Sequence, residues 1–166
     1  YAQMSGGWNA FEYYSTALIT PPKGTSNGGS DTSDATAWAL RGWWRPSETG
    51  TATPTISVGY DTIDFGNTHP DNVSEGSGWF AGLMWYDMFQ PDDRIGVGFG
   101  QPVAANSLTT GTLSETDPFL WEAYYSFKIN DSIEMTPAIF GGSDAVSVAN
   151  TDDDFFGAVL TTTFKF

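Results

Sequence analysis

Residues 154–166, DFFGAVLTTTFKF, decide how the rest of the chain is read. Counted back from Phe166 in steps of two, one set is Phe166, Phe164, Thr162, Leu160, Ala158 and Phe156. The other is Lys165, Thr163, Thr161, Val159, Gly157 and Phe155. This period of two is that of a β-strand with unlike faces. The first face is apolar apart from one threonine, and it ends on an exposed aromatic that no later element covers. Contact with lipid is the simplest way to satisfy that face.

Composition limits what such a strand can belong to. The chain has 166 residues, about one domain, and residues 1–166 are read as a single β domain. With 20 acidic against 6 basic residues the formal charge is -14, which argues against a nucleic-acid partner, because phosphate binding needs clustered Lys and Arg. There is no cysteine and hence no disulfide framework. No apolar run approaches the roughly 18 residues of a spanning helix, so a membrane form of this sequence has to be a barrel. The start, YAQMSGG, lacks an initiator Met and the features of a signal peptide, and the chain is read as a mature piece or a C-terminal portion.

Moving outward from the terminal strand, PFLWEAYYSFKINDSIEMTPAIFGG at 118–142 alternates through Phe119, Trp121, Ala123, Tyr125 and Phe127 against Leu120, Glu122, Tyr124, Ser126 and Lys128. After Asn130 and Asp131 the pattern resumes, so the segment predicts a hairpin with a minimal turn. Pro137 predicts a bulge or irregular register in its second strand. RIGVGFGQPV at 94–103 places Ile95, Val97 and Phe99 opposite Arg94, Gly96, Gly98 and Gly100, a glycine face expected to border water or a nearby loop and to pack nothing. The strand at 78–89 is apolar on both sides, with Phe80, Gly82, Met84, Tyr86 and Met88 as the cleaner face. Further strands are expected at 55–65, at 35–46 with Arg41, Trp43 and Arg45 on its basic face, and at 8–19. Polar connections at 20–34, 66–77, 104–117 and 143–154 read as long and those at 90–93 and 130–131 as tight, with 46–54 between. Alternating long and short connections, with strands of barrel length, predict an all-β, transmembrane, antiparallel up-and-down β-barrel of about eight strands.

Two motifs then resemble a known family. FLWEAYYSFKINDSIEMTPAIFGGSDA followed by DDDFFGAVLTTTFKF, together with DMFQPDDRIGVGFGQPV at 87–103, resembles the C-terminal end of the carbohydrate-selective porin family, in its cyanobacterial outer-membrane branch. The likeness covers about half the chain, from 79 onward. It implies that these strands are the C-terminal half of a barrel of about 16 strands, a size within the range of bacterial barrels. It also implies a homo-trimer in the cell outer membrane with its C-terminus periplasmic, passive diffusion of small hydrophilic solutes such as sugars and inorganic ions, and no reaction chemistry. Outer-membrane lipid and the barrel assembly machinery, which reads endings of this type, are the implied partners. No cofactor is expected.

By parity, Arg41, Trp43, Arg45, Arg94, Glu122, Tyr124, Lys128 and Glu134 are the expected pore-lining residues. Leu160, Phe164 and Phe166, with Phe156 and Ala158, are expected to face lipid and to carry the assembly signal. The acidic loops predict a weak cation preference. Trp43 and Tyr124 offer faces on which sugar rings can stack, or simply fill the inner wall. His69 reads as an ordinary exposed residue, so no catalytic residue is assigned. Asp152, Asp153 and Asp154 lack calcium-loop spacing and read as a solvated loop, so no metal site is assigned. Glu122 and Glu134 could be a carboxylate pair of the glycosidase kind, although their parity suits a pore wall better. The alternatives are a secreted soluble β-sandwich that binds carbohydrate and a small complete eight-stranded structural barrel.

Overall fold

The computed structural model describes residues 35–65, 73–108, 118–143 and 154–166. They form seven strands: β1 (Ala35–Trp44), β2 (Thr55–Phe65), β3 (Val73–Tyr86), β4 (Arg94–Leu108), β5 (Phe119–Asn130), β6 (Ile133–Ser143) and β7 (Phe155–Phe164). All seven lie in one open sheet in chain order, each antiparallel to the next. The expected strand at 8–19, the loop at 20–34, His69, Asp152 and Asp153 lie outside the described residues. No helix among the described residues is long and apolar enough to cross a membrane, which says nothing about strands.

Two boundaries differ from the sequence expectation. β3 starts at Val73 and β4 runs to Leu108, so much of what reads as polar loop is a paired extension of that hairpin. Ser, Gly and Asn are poor strand formers alone, but here each strand supplies the other's hydrogen bonds, with register shifts at Val73–Trp79 absorbing the irregularity. As a result the alternation of connections is less regular than predicted. One rim carries 45–54, 87–93 and 131–132, and the other carries 66–72, 109–118 and 144–154.

Register sorts the residues onto two faces. Trp38, Leu40 and Trp44 of β1 share a face with Ile56, Val58 and Tyr60 of β2. Trp79, Ala81, Leu83 and Trp85 of β3 and Ile95, Val97 and Phe99 of β4 continue it. It runs on through Trp121, Ala123, Tyr125 and Phe127 of β5 to Ile139 of β6 and Phe156, Ala158, Leu160 and Phe164 of β7. The opposite face holds Arg41, Asp61, Phe80, Arg94, Glu122, Tyr124, Lys128, Glu134 and the β7 threonines Thr161 and Thr163. The cleaner apolar set of the 78–89 strand, Phe80 to Tyr86, thus falls on the charged face. Both sides of β3 are apolar, so only its pairing with β2 and β4 fixes the side.

Burial is inverted relative to a water-soluble domain. Among the described residues the buried hydrophobic is Ala138, while Asp61, Asp93 and Ser126 are the buried polar groups. Trp38 and Leu40 are each 73% exposed and Phe156 69%. A single layer has no partner sheet against which to close a core.

Aromatic residues on the apolar face gather in two bands. Towards the 109–118 rim, Trp79 meets Phe99 edge-on at 6.2 Å and Phe119 at 6.4 Å, and Trp121 meets Phe156 at 6.1 Å. Towards the other rim, Tyr125 stacks on Phe127 at 5.1 Å and receives Phe89 edge-on at 5.8 Å. Between the bands stand Ala81, Leu83, Val97, Ala123, Ile139, Ala158 and Leu160. From Phe119 to Phe127 the strand spans about 26 Å at the usual rise.

Pro137 does not shift the register. β6 pairs continuously with β7 through Pro137 opposite Leu160, and on the β5 side pairing lapses at Tyr125 and Ser126 and resumes in the same phase. A proline removes only its own donor, and one gap is enough to accommodate it.

Candidate functional site: the charged face of the sheet

The expected pore-lining residues come together on one face. Arg41, Trp43, Arg94, Glu122, Tyr124, Lys128 and Glu134 share its parity. Arg45 lies just past β1, its guanidinium 5.2 Å from the centre of the Tyr86 ring of that face. Of the residues expected to face lipid, Phe156, Ala158, Leu160 and Phe164 lie on the apolar side. Phe166 follows the last strand residue and is fully exposed; next to it, the Lys165 N–H still donates to Ser132 O at 2.9 Å.

The charges are organised as cross-strand pairs. Arg41 Nη2 donates to both oxygens of Asp61, at 2.7 and 2.8 Å, while its guanidinium sits 5.4 Å from the centre of the Phe80 ring. Near the 131–132 turn, Glu134 accepts from Arg94 of β4 and from Ser126 Oγ of β5 at 2.7 Å, and Lys165 Nζ stands 3.7 Å away. Ser126 is almost fully buried and also accepts from Thr136 Oγ1 at 3.0 Å. Four strand ends are thereby tied to one carboxylate. Such charge-assisted networks hold position better than isolated surface pairs do. Lys128 reaches outward to Asp92 at 2.6 Å in the next turn.

Asp93 is the structural centre of the 87–93 turn, and sequence reading missed it. Its fully buried carboxylate accepts from the Met88, Phe89 and Gln90 N–H groups at 2.7, 2.9 and 3.1 Å and from Tyr125 Oη at 3.0 Å. Burial opposes its ionisation, but the donors from Phe89, Met88, Gln90 and Tyr125 together outweigh burial and hold the acid below the usual aspartate range. Asp92 is also held low, by its hydrogen bond and attraction to Lys128. Asp87 and Asp92 adopt positive φ of 57° and 65°, which aspartate tolerates better than most residues do. Three aspartates in seven residues, Asp87, Asp92 and Asp93, with QP between, were the available signal for a side-chain-capped turn.

Several glycines on this face are covered, contrary to the expectation at Gly96, whereas Gly82 has nothing nearer than 3.9 Å. A Cβ on Gly96 would strike the Tyr124 ring, one on Gly59 the Phe80 ring, and one on Gly157 the Phe140 ring. Each large side chain lies flat across the neighbouring strand where a glycine leaves room. Trp43, in contrast, is 72% exposed at the β1 edge.

The carboxylates Glu122 and Glu134 do not pair. Register sets Glu134 opposite Lys128 and Glu122 opposite Phe140. Six residues of strand, about 20 Å, separate them. Glycosidase carboxylates stand roughly 5–9.5 Å apart. Among the described residues no group of three His, Cys, Asp or Glu is placed to hold a metal ion. Compared with family models, curated proteins and solved structures, the chain matches none.

Proposed function

We propose that this chain forms wall of an outer-membrane β-barrel through which small hydrophilic solutes, sugars or inorganic ions, diffuse passively. The observation that carries this reading is the inverted burial: an apolar face with exposed large hydrophobics on β1, β2, β3, β5, β6 and β7 and half-buried ones on β4, backed by a face of ion pairs. Monomeric soluble proteins rarely expose contiguous apolar patches of more than a few hundred Å². Aromatic bands flanking an aliphatic belt suit the two interfaces of a bilayer. Closure requires the β1 and β7 edges to pair with further strands, since open edges are not tolerated in hydrocarbon. Arg41, Trp43, Arg45, Arg94, Glu122, Tyr124, Lys128 and Glu134 then line the water-filled side, and Leu160, Phe164 and Phe166 meet lipid or its periplasmic boundary. The porin-like motifs at 87–103 and 119–166 point to the same class, with a trimer and the barrel assembly machinery as its partners.

A sandwich-type carbohydrate binder needs two stacked sheets, and the described strands lie in one. The test is to refold the purified chain into detergent and lipid. A heat-modifiable gel shift, discrete conductance in planar bilayers and sugar-driven swelling of loaded liposomes are expected. A monodisperse protein without detergent that shows none of these contradicts the reading. A gel shift with no conductance or swelling instead indicates a structural barrel.

A further inference from the structure

The charges of the proposed water-filled face are unequal in one respect. Arg41, Asp61, Arg94, Lys128 and Glu134 all stand in ion pairs, and Arg45, which forms none among the described residues, lies past the end of β1 at the 45–54 rim over the Tyr86 ring, so Glu122 is the unpaired charge of this face within the strands. Glu122 forms no ion pair among the described residues, and its Oε1 is buried without a hydrogen-bond partner. Its cross-strand neighbours are Gly98 and Phe140, and Leu120 and Tyr124 flank it on the same side of β5. Following the register from Glu122 across the sheet leads through Gly98, Gly82 and Ser57 to Trp43, a row with no other charge.

Resting on the channel reading above, the geometry points to Glu122 as the residue that sets cation over anion preference in this pore. Paired charges present little net field to a passing ion, whereas a carboxylate with no counter-charge, beside glycine backbone, acts on it at close range. The acidic loops at the 144–154 rim act through bulk electrolyte, where screening removes their effect beyond about 8 Å. Of Glu122's neighbours only Tyr124 carries a polar group, and its ring lies over Gly96, so Glu122 lacks the several polar partners that would fix the hydroxyls of a sugar, and its complement is a small hydrated cation. The side-chain-free strip of Gly82 and Gly98 leaves room for that ion to approach with its water.

The test is the reversal potential of the full chain in planar bilayers under a KCl gradient. Glu122→Gln, which removes the charge and keeps an acceptor oxygen, is expected to lower the cation-to-anion permeability ratio about tenfold, because one charge at about 6 Å in a water-like medium favours the cation about threefold and disfavours the anion by the same factor. Glu122→Asp should retain most of the preference, and Asp154→Asn at the rim should change it less than Glu122→Gln does. Should Glu122→Gln fail to insert, Glu122→Ser gives the same neutral comparison. Wild-type channels whose ratio survives in either neutral variant overturn the assignment and leave the channel reading standing. Absence of channels from the wild-type chain overturns both.

Discussion

Leu160 and Val159 are adjacent in β7 and similarly exposed, at 58% and 49%, yet they stand in different company. Leu160 lies across from Pro137 on the face of Ile139, Ala158 and Phe156, whereas Val159 lies across from Ala138 on the face of Thr161, Thr163 and Glu134. Exposure alone does not separate them; their neighbours do. At Leu160 a charge would gain nothing, because its neighbours Pro137, Ala158 and Ile139 carry no partner for it. The charged face is laced by pairs, and Phe80, Tyr124 and Phe140 on it lie over glycines. One sheet therefore obeys two packing rules, and the proposed wall, with lipid on one side and water on the other, would demand that difference.

The sharpest way to break that contrast is to place the same charge on each side. Leu160→Arg is expected to destabilise the lipid-refolded protein by about 2–4 kcal/mol, the penalty for arginine near the middle of a bilayer. Val159→Arg should fall within about 0.5 kcal/mol of wild type, as surface substitutions usually do. Urea titration in vesicles, read by the heat-modifiable band, measures both. Equal losses would mean that the two faces do not meet different solvents.

Next in size is the 87–93 turn, where the faces meet: Phe89 packs on Tyr125 of the apolar side, and Asp92 holds Lys128 of the charged side. Asp93→Ala leaves three N–H groups and the Tyr125 hydroxyl without their shared acceptor and should cost about 2–3 kcal/mol. Because native Asp93 ionises below the usual aspartate range, the turn's contribution is complete above about pH 4 and is lost as pH falls through the lowered value. The urea midpoint of wild type should therefore fall below pH 4 more steeply than that of Asp93→Ala. Parallel pH curves would show that the carboxylate does not hold the turn.

Smaller effects probe the charged face alone. Gly96→Ala should cost about 1–3 kcal/mol by forcing the Tyr124 ring off the strand, and Tyr124→Ala in the same chain should relieve most of that clash. Asp61→Asn, at a pair whose arginine is half-exposed and whose aspartate is buried, keeps one acceptor oxygen for Arg41 and should cost about 1 kcal/mol. A double-mutant cycle reads the first pair and urea midpoints the second.

Several of these features were legible in the sequence because they are local. The alternation of β7, the β5–β6 hairpin and the parity of Arg41, Arg94, Glu122, Lys128 and Glu134 follow from counting in twos. Even the turn shifted only slightly: Asn130 caps it by accepting from the Ser132 N–H at 2.9 Å, an Asx turn that the Asn-Asp pair announced. Other features needed register between strands far apart in sequence. Arg41 finds Asp61 rather than the acids of β5 and β6, the Gly96 face is filled by Tyr124, and β3's two apolar sides gain their identities only from β2 and β4. Asp93 was hidden for another reason. A carboxylate that caps its own turn looks, as a sequence, like one more acid in a polar loop.

The absence of native cysteine makes the central claim directly measurable. Single cysteines placed at each position from 156 to 164 in the full chain, refolded into liposomes, can be challenged with a membrane-impermeant maleimide. Labelling with a period of two is expected, with Gly157, Val159, Thr161 and Thr163 positions reactive and Phe156, Ala158, Leu160 and Phe164 positions protected. Uniform reactivity along β7, or protection of the odd set, would contradict it.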